Sequence, residues 1–291
     1  MNPKPLVRFL VFPVLVFVAI TAGQATASPP AAAADGDSAK ALHRFFDAEW
    51  DYLMEQNPTW ASSLGDRRWN DRWDDDSLEA VAKREDHARA SLARFNKIER
   101  ANLAPADQLN FDLFKKNLEE QIAGFKFRLY LLPINQRGGI QTADELGDQL
   151  RFQTVKDYED WIARLKALPV SMDQQIVLMR EGAKARVMWP KIVLERVPNQ
   201  IDKQIVENPE ESPFFKPFKK FPDDIAAEDR ERLTKAAREA IATDVIPAFQ
   251  KLKTYFAGEY LPAAFDQVGC GRCRRGTSFT ATSRGSSPPP I

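Results

Sequence analysis

The sequence has very few of the residues that build metal sites and disulfide frameworks. Its 291 residues include only two histidines and two cysteines. The histidines, His43 and His87, lie in separate helical segments, so the His-Glu-x-x-His pattern of a zinc-binding helix is absent. Because a structural zinc site needs four ligands and a catalytic one three, we predict no metal ligand and no cofactor in this chain. His87, next to Glu85 and Asp86, is more simply read as part of a charged helix surface.

Familiar catalytic signatures are also missing. The sequence contains no Gly-x-Ser-x-Gly elbow, no phosphate-binding loop and no dinucleotide fingerprint. The Cys270-x-x-Cys273 pair could form a disulfide or redox motif, but no strand–helix unit surrounds it, as a thioredoxin-like site would need. The sequence therefore predicts no catalytic residue.

The charge balance gives no case for nucleic acid as a partner. The chain has 41 basic and 41 acidic residues, and the signal-like start and the last 22 residues together hold six of the basic ones. Residues 28–269 are therefore mildly acidic, with 35 basic and 41 acidic side chains. Such a surface does not attract a phosphate backbone.

The N-terminus predicts a signal peptide over residues 1–27. Two basic residues precede the apolar run Phe9–Gly23, and Ala25-Thr26-Ala27 is a small-x-small cleavage site. A retained anchor is the alternative, but the run has 15 residues and is interrupted by Pro13, whereas a bilayer needs about 20. We expect an exported protein, periplasmic or secreted, with no stable membrane anchor after cleavage.

Helical periodicity dominates the rest and predicts an all-α fold. We expect an irregular array of many helices in one large domain over residues 38–269, preceded by a flexible linker, 28–37, and followed by a disordered tail, 270–291. Individual residues predict where several helices begin and end. Asn57-Pro58 should end the first helix, Ser77 should cap another, Pro105 should open a long helix with Leu109, Leu113 and Leu118 on its apolar stripe, and Thr154 should cap a helix that Pro169 stops.

Two later segments complete this prediction. The Pro- and Phe-rich stretch from Asn208 to Asp224 is expected to be a loop or lid. The last helix should run from about Ala226 to Tyr260, with a kink at Pro247.

One loop is a candidate for lining a binding cleft. Asn135, Gln136, Arg137, Gly138 and Gly139 follow a long helix, and their glycines allow either close approach to a ligand or simply a tight turn, which is the commoner role. We expect this loop to be ordered, anchored by the apolar run before it. The acidic segment Trp69–Asp76 lacks the glycine of a calcium loop, so its acids are better explained by a capped helix start.

From about Phe45 to Asp266 the chain resembles the bacterial domain-of-unknown-function family 885. No single segment is diagnostic, but their order and spacing are. The segments are Phe45-Phe46 through Asn57–Ala61, Leu64-Gly65-Asp66, Leu132–Gly139, Thr154–Trp161 with Arg164-Leu165, Asp173–Ile176 with Arg180-Glu181-Gly182, and Tyr255-Phe256 with Tyr260-Leu261-Pro262.

The resemblance implies a mostly helical, often exported protein about twice this length. Its second half is similar to zinc metallopeptidases and carries a His-Glu zinc helix, so zinc and a peptide or small-molecule substrate are implied for the complete protein. Nothing in this sequence matches that helix. We therefore expect an incomplete N-terminal half of a hydrolase, inactive alone. The alternative is a non-catalytic helical binding or scaffold protein.

The tail is unlike the rest of the chain. Residues 270–291 hold seven Ser or Thr and four Arg with one aromatic residue, and helical periodicity is lost. An offset reading frame after about Val268 would restore an amphipathic continuation, so we predict a frameshifted tail that adds nothing to folding. A natural disordered tail is the alternative.

Overall fold

A computed structural model describes residues 36–266, and its regular structure is helical. Within this range the β-type contacts are two isolated bridges, Asn135–Gly138 and Pro190–Phe265. The predicted all-α class is confirmed. The α-helices are α1 (Asp37–Gln56), α2 (Pro58–Ser63), α3 (Leu78–Phe95), α4 (Pro105–Gly124), α5 (Glu145–Gln149), α6 (Val155–Ala185), α7 (Lys191–Leu194), α8 (Val197–Asp202), α9 (Ala227–Ala240), α10 (Ile246–Tyr255) and α11 (Leu261–Ala263).

The described residues form two compact units where the sequence suggested one large domain. Unit 1 comprises residues 36–49 and 85–124, and unit 2 comprises residues 50–84 and 125–266. The predicted signal peptide, most of the predicted linker and the predicted tail, 270–291, lie outside the described residues.

Unit 1 is built on stacked phenylalanines. Phe95 stacks on Phe111 with ring centroids 4.4 Å apart, and Phe45 packs on Phe95 at 5.0 Å. The predicted stripe of α4 is confirmed at Leu118, which is buried, but it is wrong at Leu109 and Leu113, which are 59% and 51% exposed while Phe111 is buried. Phe111 stacks on Phe95, so the side of α4 that carries Phe111 faces the core and the side that carries Leu109 and Leu113 faces solvent. The helix begins at Pro105 as predicted.

Unit 2 is organised by α6, which has 31 residues and is buried along most of its length. The prediction that Pro169 stops this helix is wrong, since α6 continues through it to Ala185. A proline in a helix interior removes one hydrogen bond and costs about 3 kcal/mol in isolation. Leu165, Leu168 and Met172, all fully buried around the proline, hold the helix by packing, which outweighs local propensity.

The start of α6 is fixed at Thr154, as predicted, and Asp157, which was not predicted, completes the cap. One oxygen of the Asp157 carboxylate accepts hydrogen bonds from the Thr154 N–H at 2.8 Å, the Thr154 hydroxyl at 2.9 Å and the Gln153 N–H at 3.0 Å. These groups would otherwise be unsatisfied near the helix start.

The last helical run passes from α9 through α10 to α11 with two π-helical segments. These are Ile241–Val245 and Phe256–Tyr260, and each ends two residues before a proline, Pro247 and Pro262. Proline cannot donate to the carbonyl four residues back, and a π turn is one way to accommodate the missing bond. The predicted interruption at Pro247 therefore takes the form of a π turn.

The Phe-rich segment is part of the core and is not a lid. It forms 3₁₀ turns at Pro209–Glu211 and Pro213–Lys219, with Phe214, Phe215 and Phe218 at most 4% exposed. The indole N–H of Trp161 donates to the Phe214 carbonyl at 3.1 Å. The prolines favoured a mobile loop, but the burial of three aromatic rings fixes this segment against α6 and α9.

Candidate functional site

The candidate loop Asn135–Gly139 is a tight, internally bonded turn. Asn135 and Gly138 exchange both backbone hydrogen bonds, at 3.1 and 3.3 Å. The Asn135 side-chain oxygen also accepts from the Arg137 N–H at 2.8 Å. The turn therefore satisfies its own backbone groups and has a defined shape.

Three glutamines hold this loop from outside, and we call Gln141, Gln200 and Gln204 the glutamine clamp. The side-chain amide of Gln141 donates to the Asn135 carbonyl at 2.8 Å, and that of Gln200 donates to the Gln136 carbonyl at 3.2 Å. Gln204 donates to the Gln141 carbonyl at 3.2 Å and to the Asp144 carboxylate at 2.7 Å. Burial raises the pKa of Asp144 above its ordinary value.

The base of the loop is anchored by apolar packing and by two glycines. Leu131 and Ile134 are fully buried, as predicted for the run before the loop. A Cβ on Gly182 of α6 would lie 2.7 Å from the Leu131 carbonyl oxygen. Gly139 has φ +142°, and a Cβ there would lie 2.5 Å from the Gln141 side-chain oxygen and 2.8 Å from the Pro133 carbonyl. Only glycine fits either position without displacing its neighbours.

The packing of this loop on helices agrees with the sequence expectation, whereas a role in lining a cleft remains a prediction. The glutamine clamp was missed. Gln200 and Gln204 have the four-residue spacing of a pair on one helix face, but α8 ends at Asp202, so only Gln200 lies in it. Amide side chains are common on solvated helix faces, so this spacing alone carries little information. Their partners are backbone carbonyls of a distant loop, which leave no mark in the sequence.

A second polar centre of unit 2 surrounds Arg164, which is fully buried in α6. Its guanidinium donates to the carbonyls of Arg72 at 2.8 Å, Trp69 at 3.0 Å and Pro58 at 3.2 Å, and to the Ser62 hydroxyl at 2.7 Å. It also lies 5.7 Å from the centroid of the Trp73 ring. Burial lowers its pKa to about 10, so it remains charged near neutral pH.

The acids of the 69–76 segment belong to this second centre. Asp74 accepts from the Thr59 N–H and hydroxyl, at 2.8 to 2.9 Å, and burial raises its pKa. Asp76 accepts from the Gln175 amide at 2.6 Å, and its pKa is raised to about 6, chiefly by burial and then by the neighbouring Asp74. The expectation of a simple capped helix start was therefore incomplete. Ser77 does accept from the Ala80 N–H at 3.1 Å, as predicted, but Asp74 and Asp76 tie the loop to Thr59 and to α6.

The histidines occupy separate places in unit 1. His87 was expected in a surface cluster, but its Nε2 lies 2.9 Å from the carboxylate of Glu49 and 3.1 Å from the Ser91 hydroxyl. His43 lies 3.1 Å from Asp107. Ser91 is fully buried, and its oxygen shares one imidazole nitrogen with Glu49, which is not the relay arrangement of a nucleophilic triad. Between residues 36 and 266, no group of three or more His, Cys, Asp or Glu side chains is placed to hold a metal ion.

None of the helices within residues 36–266 combines the length and the apolar character required of a membrane-spanning segment.

We predict that Gly139→Ala lowers the free energy of unfolding by about 2 kcal/mol or more, because the new Cβ enters occupied space at a positive φ. Gly258→Ala is the matched control, since a Cβ there meets no atom within 4 Å. It should be neutral or stabilise slightly. Urea unfolding of both variants gives the comparison, and an equal effect at the two positions would contradict the close packing of the loop.

We predict that Asp76→Asn stabilises the protein at pH 8 by on the order of 1 kcal/mol, and that the gain disappears near pH 4. The pKa of Asp76 is about 6 in the folded state and lower in the unfolded state, so the folded state binds the proton more tightly. The ionised carboxylate therefore destabilises the fold at pH 8, and this cost is lost as the pH falls below the folded pKa. Asparagine removes the buried charge but can still accept from Gln175. The test is thermal unfolding between pH 4 and pH 8, with the exposed Asp224→Asn as control. A gain for Asp76→Asn that does not depend on pH would refute this account.

Comparison with known proteins identifies the family. The family model for bacterial proteins of unknown function, DUF885, matches residues 58–281, so the match reaches into the segment expected to be aberrant. A search of curated proteins gives no match. The crystal structure of a "putative lipoprotein" from Colwellia psychrerythraea superposes with a TM-score of 0.69 at 14% identity, over 86% of this chain and 46% of that chain. At this identity the likeness shows the fold alone, and this chain spans less than half the length of that relative. Because the family model matches more than half of its residues, the chain belongs to the DUF885 family of bacterial proteins of unknown function.

Proposed function

We propose that this chain is the substrate-binding, non-catalytic helical part of an exported hydrolase of the metallopeptidase type. The resemblance seen in the sequence implies a hydrolase with a zinc helix in its second half. Two further findings support this proposal. The chain corresponds to 46% of the solved relative, and the signal-like N-terminus agrees with that relative's description as a lipoprotein. We also propose a periplasmic or secreted location, which the signal-like N-terminus and that relative's description as a lipoprotein support.

The residues present do not fit the zinc ion that the resemblance implies. A catalytic zinc needs three protein ligands in one place. In the part of the chain that the structure describes, no cluster of His, Cys, Asp or Glu meets this requirement. The proposed role of this chain is therefore binding, and no catalytic step is assigned to its residues.

The observation that carries the proposal is that hydrogen bonds hold the loop Asn135–Gly139 in one conformation. Its backbone is bonded internally and clamped by Gln141 and Gln200. Holding a surface turn in one geometry is what a binding site requires, because the entropy of ordering the loop is then already lost before the ligand arrives. We propose that this loop forms part of the wall of a substrate cleft.

A helical scaffold protein of the periplasm is the second candidate. The lack of a metal-ligand cluster within residues 36–266 favours it, because a scaffold needs none. The gene sequence beyond the last codon separates the two hypotheses. A reading frame that continues into a His-Glu zinc helix supports the hydrolase, whereas a sequence without such a helix supports the scaffold.

We predict that the purified mature chain binds peptides without hydrolysing them and retains no stoichiometric zinc after dialysis. The reason is that residues 36–266 offer a preformed loop but no triad of zinc ligands. The probe is a tryptic digest of casein, with binding followed by NMR line broadening, cleavage by mass spectrometry and zinc by elemental analysis. Peptide cleavage, or one tightly held zinc per chain, would contradict the proposal. Absence of peptide binding would favour the scaffold hypothesis.

A further inference from the structure

The tip of the candidate loop presents one charged side chain to solvent. Between residues 130 and 144, Arg137 is the one exposed residue, and every neighbour in that range is buried or half-buried. The backbone that carries it is fixed on both sides, by the Asn135–Gly138 exchange and by the bond from its own N–H to the Asn135 side chain. The position of its Cα is therefore set before any ligand binds.

The Arg137 guanidinium has no counter-ion within the described part of unit 2. None of the three acids that follow it up to position 148 pairs with Arg137: Asp144 accepts from Gln204, Asp148 pairs with Lys216, and the exposed Glu145 forms no salt bridge to it. The nearby loop carbonyls of Asn135 and Gln136 already accept from the glutamine clamp. Arg68 and Arg232, which are also exposed in unit 2, pair with Asp66 and Glu159, whereas the exposed Arg151 forms no salt bridge to a described residue.

A planar guanidinium with free N–H groups recognises a carboxylate through two parallel hydrogen bonds. The fixed backbone reduces the entropy that such an exposed pair usually loses on forming. From these features we infer that Arg137 anchors a carboxylate of the bound substrate, with the terminal carboxylate of a peptide as the ligand. This inference rests on the proposed function and specifies the substrate chemistry of the same loop.

The glutamine clamp and Gly139 are positioning residues for this contact. They hold the Asn135 and Gln136 carbonyls and let the turn close against Pro133. Gln200→Ala removes the bond to the Gln136 carbonyl and leaves the guanidinium in place. It should weaken carboxylate binding less than loss of Arg137 does.

The test is titration of the mature chain with two probes, acetyl-trialanine with a free terminal carboxylate and the same peptide with an amidated terminus. We expect the free acid to bind at least about tenfold more tightly, a difference of about 1.4 kcal/mol. Arg137→Ala should remove this preference, and Arg137→Lys should retain part of it. Arg151→Ala is the matched control, because Arg151 is also exposed and it should leave both affinities unchanged. A third probe, the amidated peptide with one glutamate side chain, shows whether any carboxylate is accepted or only the terminal one.

The outcomes separate this inference from the proposed function. Equal binding of the free and amidated peptides, or an unchanged preference in Arg137→Ala, would overturn the role of Arg137 while leaving peptide binding by the chain intact. If none of the probes binds at concentrations up to about 10 mM, both the role of Arg137 and peptide binding by the chain are wrong. Thermal unfolding of each variant shows that the fold is preserved.

Discussion

The buried guanidinium of Arg164 is the interaction on which the architecture of unit 2 depends. It binds three backbone carbonyls and one hydroxyl of the segment that runs from α2 to Arg72. Two of these carbonyls have a second partner, since that of Pro58 also accepts from the Ser62 hydroxyl at 2.8 Å and that of Trp69 from the Arg72 N–H at 3.1 Å. The guanidinium joins them to the Arg72 carbonyl, and its removal would cost the hydrogen bonds of all three. A charged donor supplies several hydrogen bonds from one side chain, and Asp74 and Asp71 balance its charge.

The same physical solution appears at the candidate loop. There the donors are the neutral amides of Gln141 and Gln200, and the acceptors are the carbonyls of Asn135 and Gln136. In both places a long polar side chain satisfies the backbone of an irregular segment, and in both the aromatic and aliphatic core lies beneath. Arg164 is buried and serves the fold, whereas the loop leaves Arg137 exposed and available to a ligand.

The sequence predicted what depends on local signals. The all-α class, the helix starts at Pro105 and Thr154 and the cap at Ser77 all follow from residues within one turn of the feature. The continuation of α6 through Pro169, the burial of the Phe214 to Phe218 rings and the outward face of Leu109 depend on packing between distant segments. The hydrophobic periodicity of a single sequence does not show which distant segments pack against each other. For the site, the glycines marked the loop, but Gln200 and Gln204 lie over 60 residues from the carbonyls that they bind.

Hydrogen exchange of the Arg164→Met variant tests most directly whether this arginine organises unit 2. Methionine keeps the approximate volume and the apolar stem but removes the guanidinium donors to the Pro58, Trp69 and Arg72 carbonyls. The account predicts that amides within residues 58–76 lose protection by on the order of 3 kcal/mol or more, the scale of a broken buried polar network, while those of α9 and α10 lose much less. Unchanged protection of residues 58–76, or an equal loss of protection throughout unit 2, would contradict it.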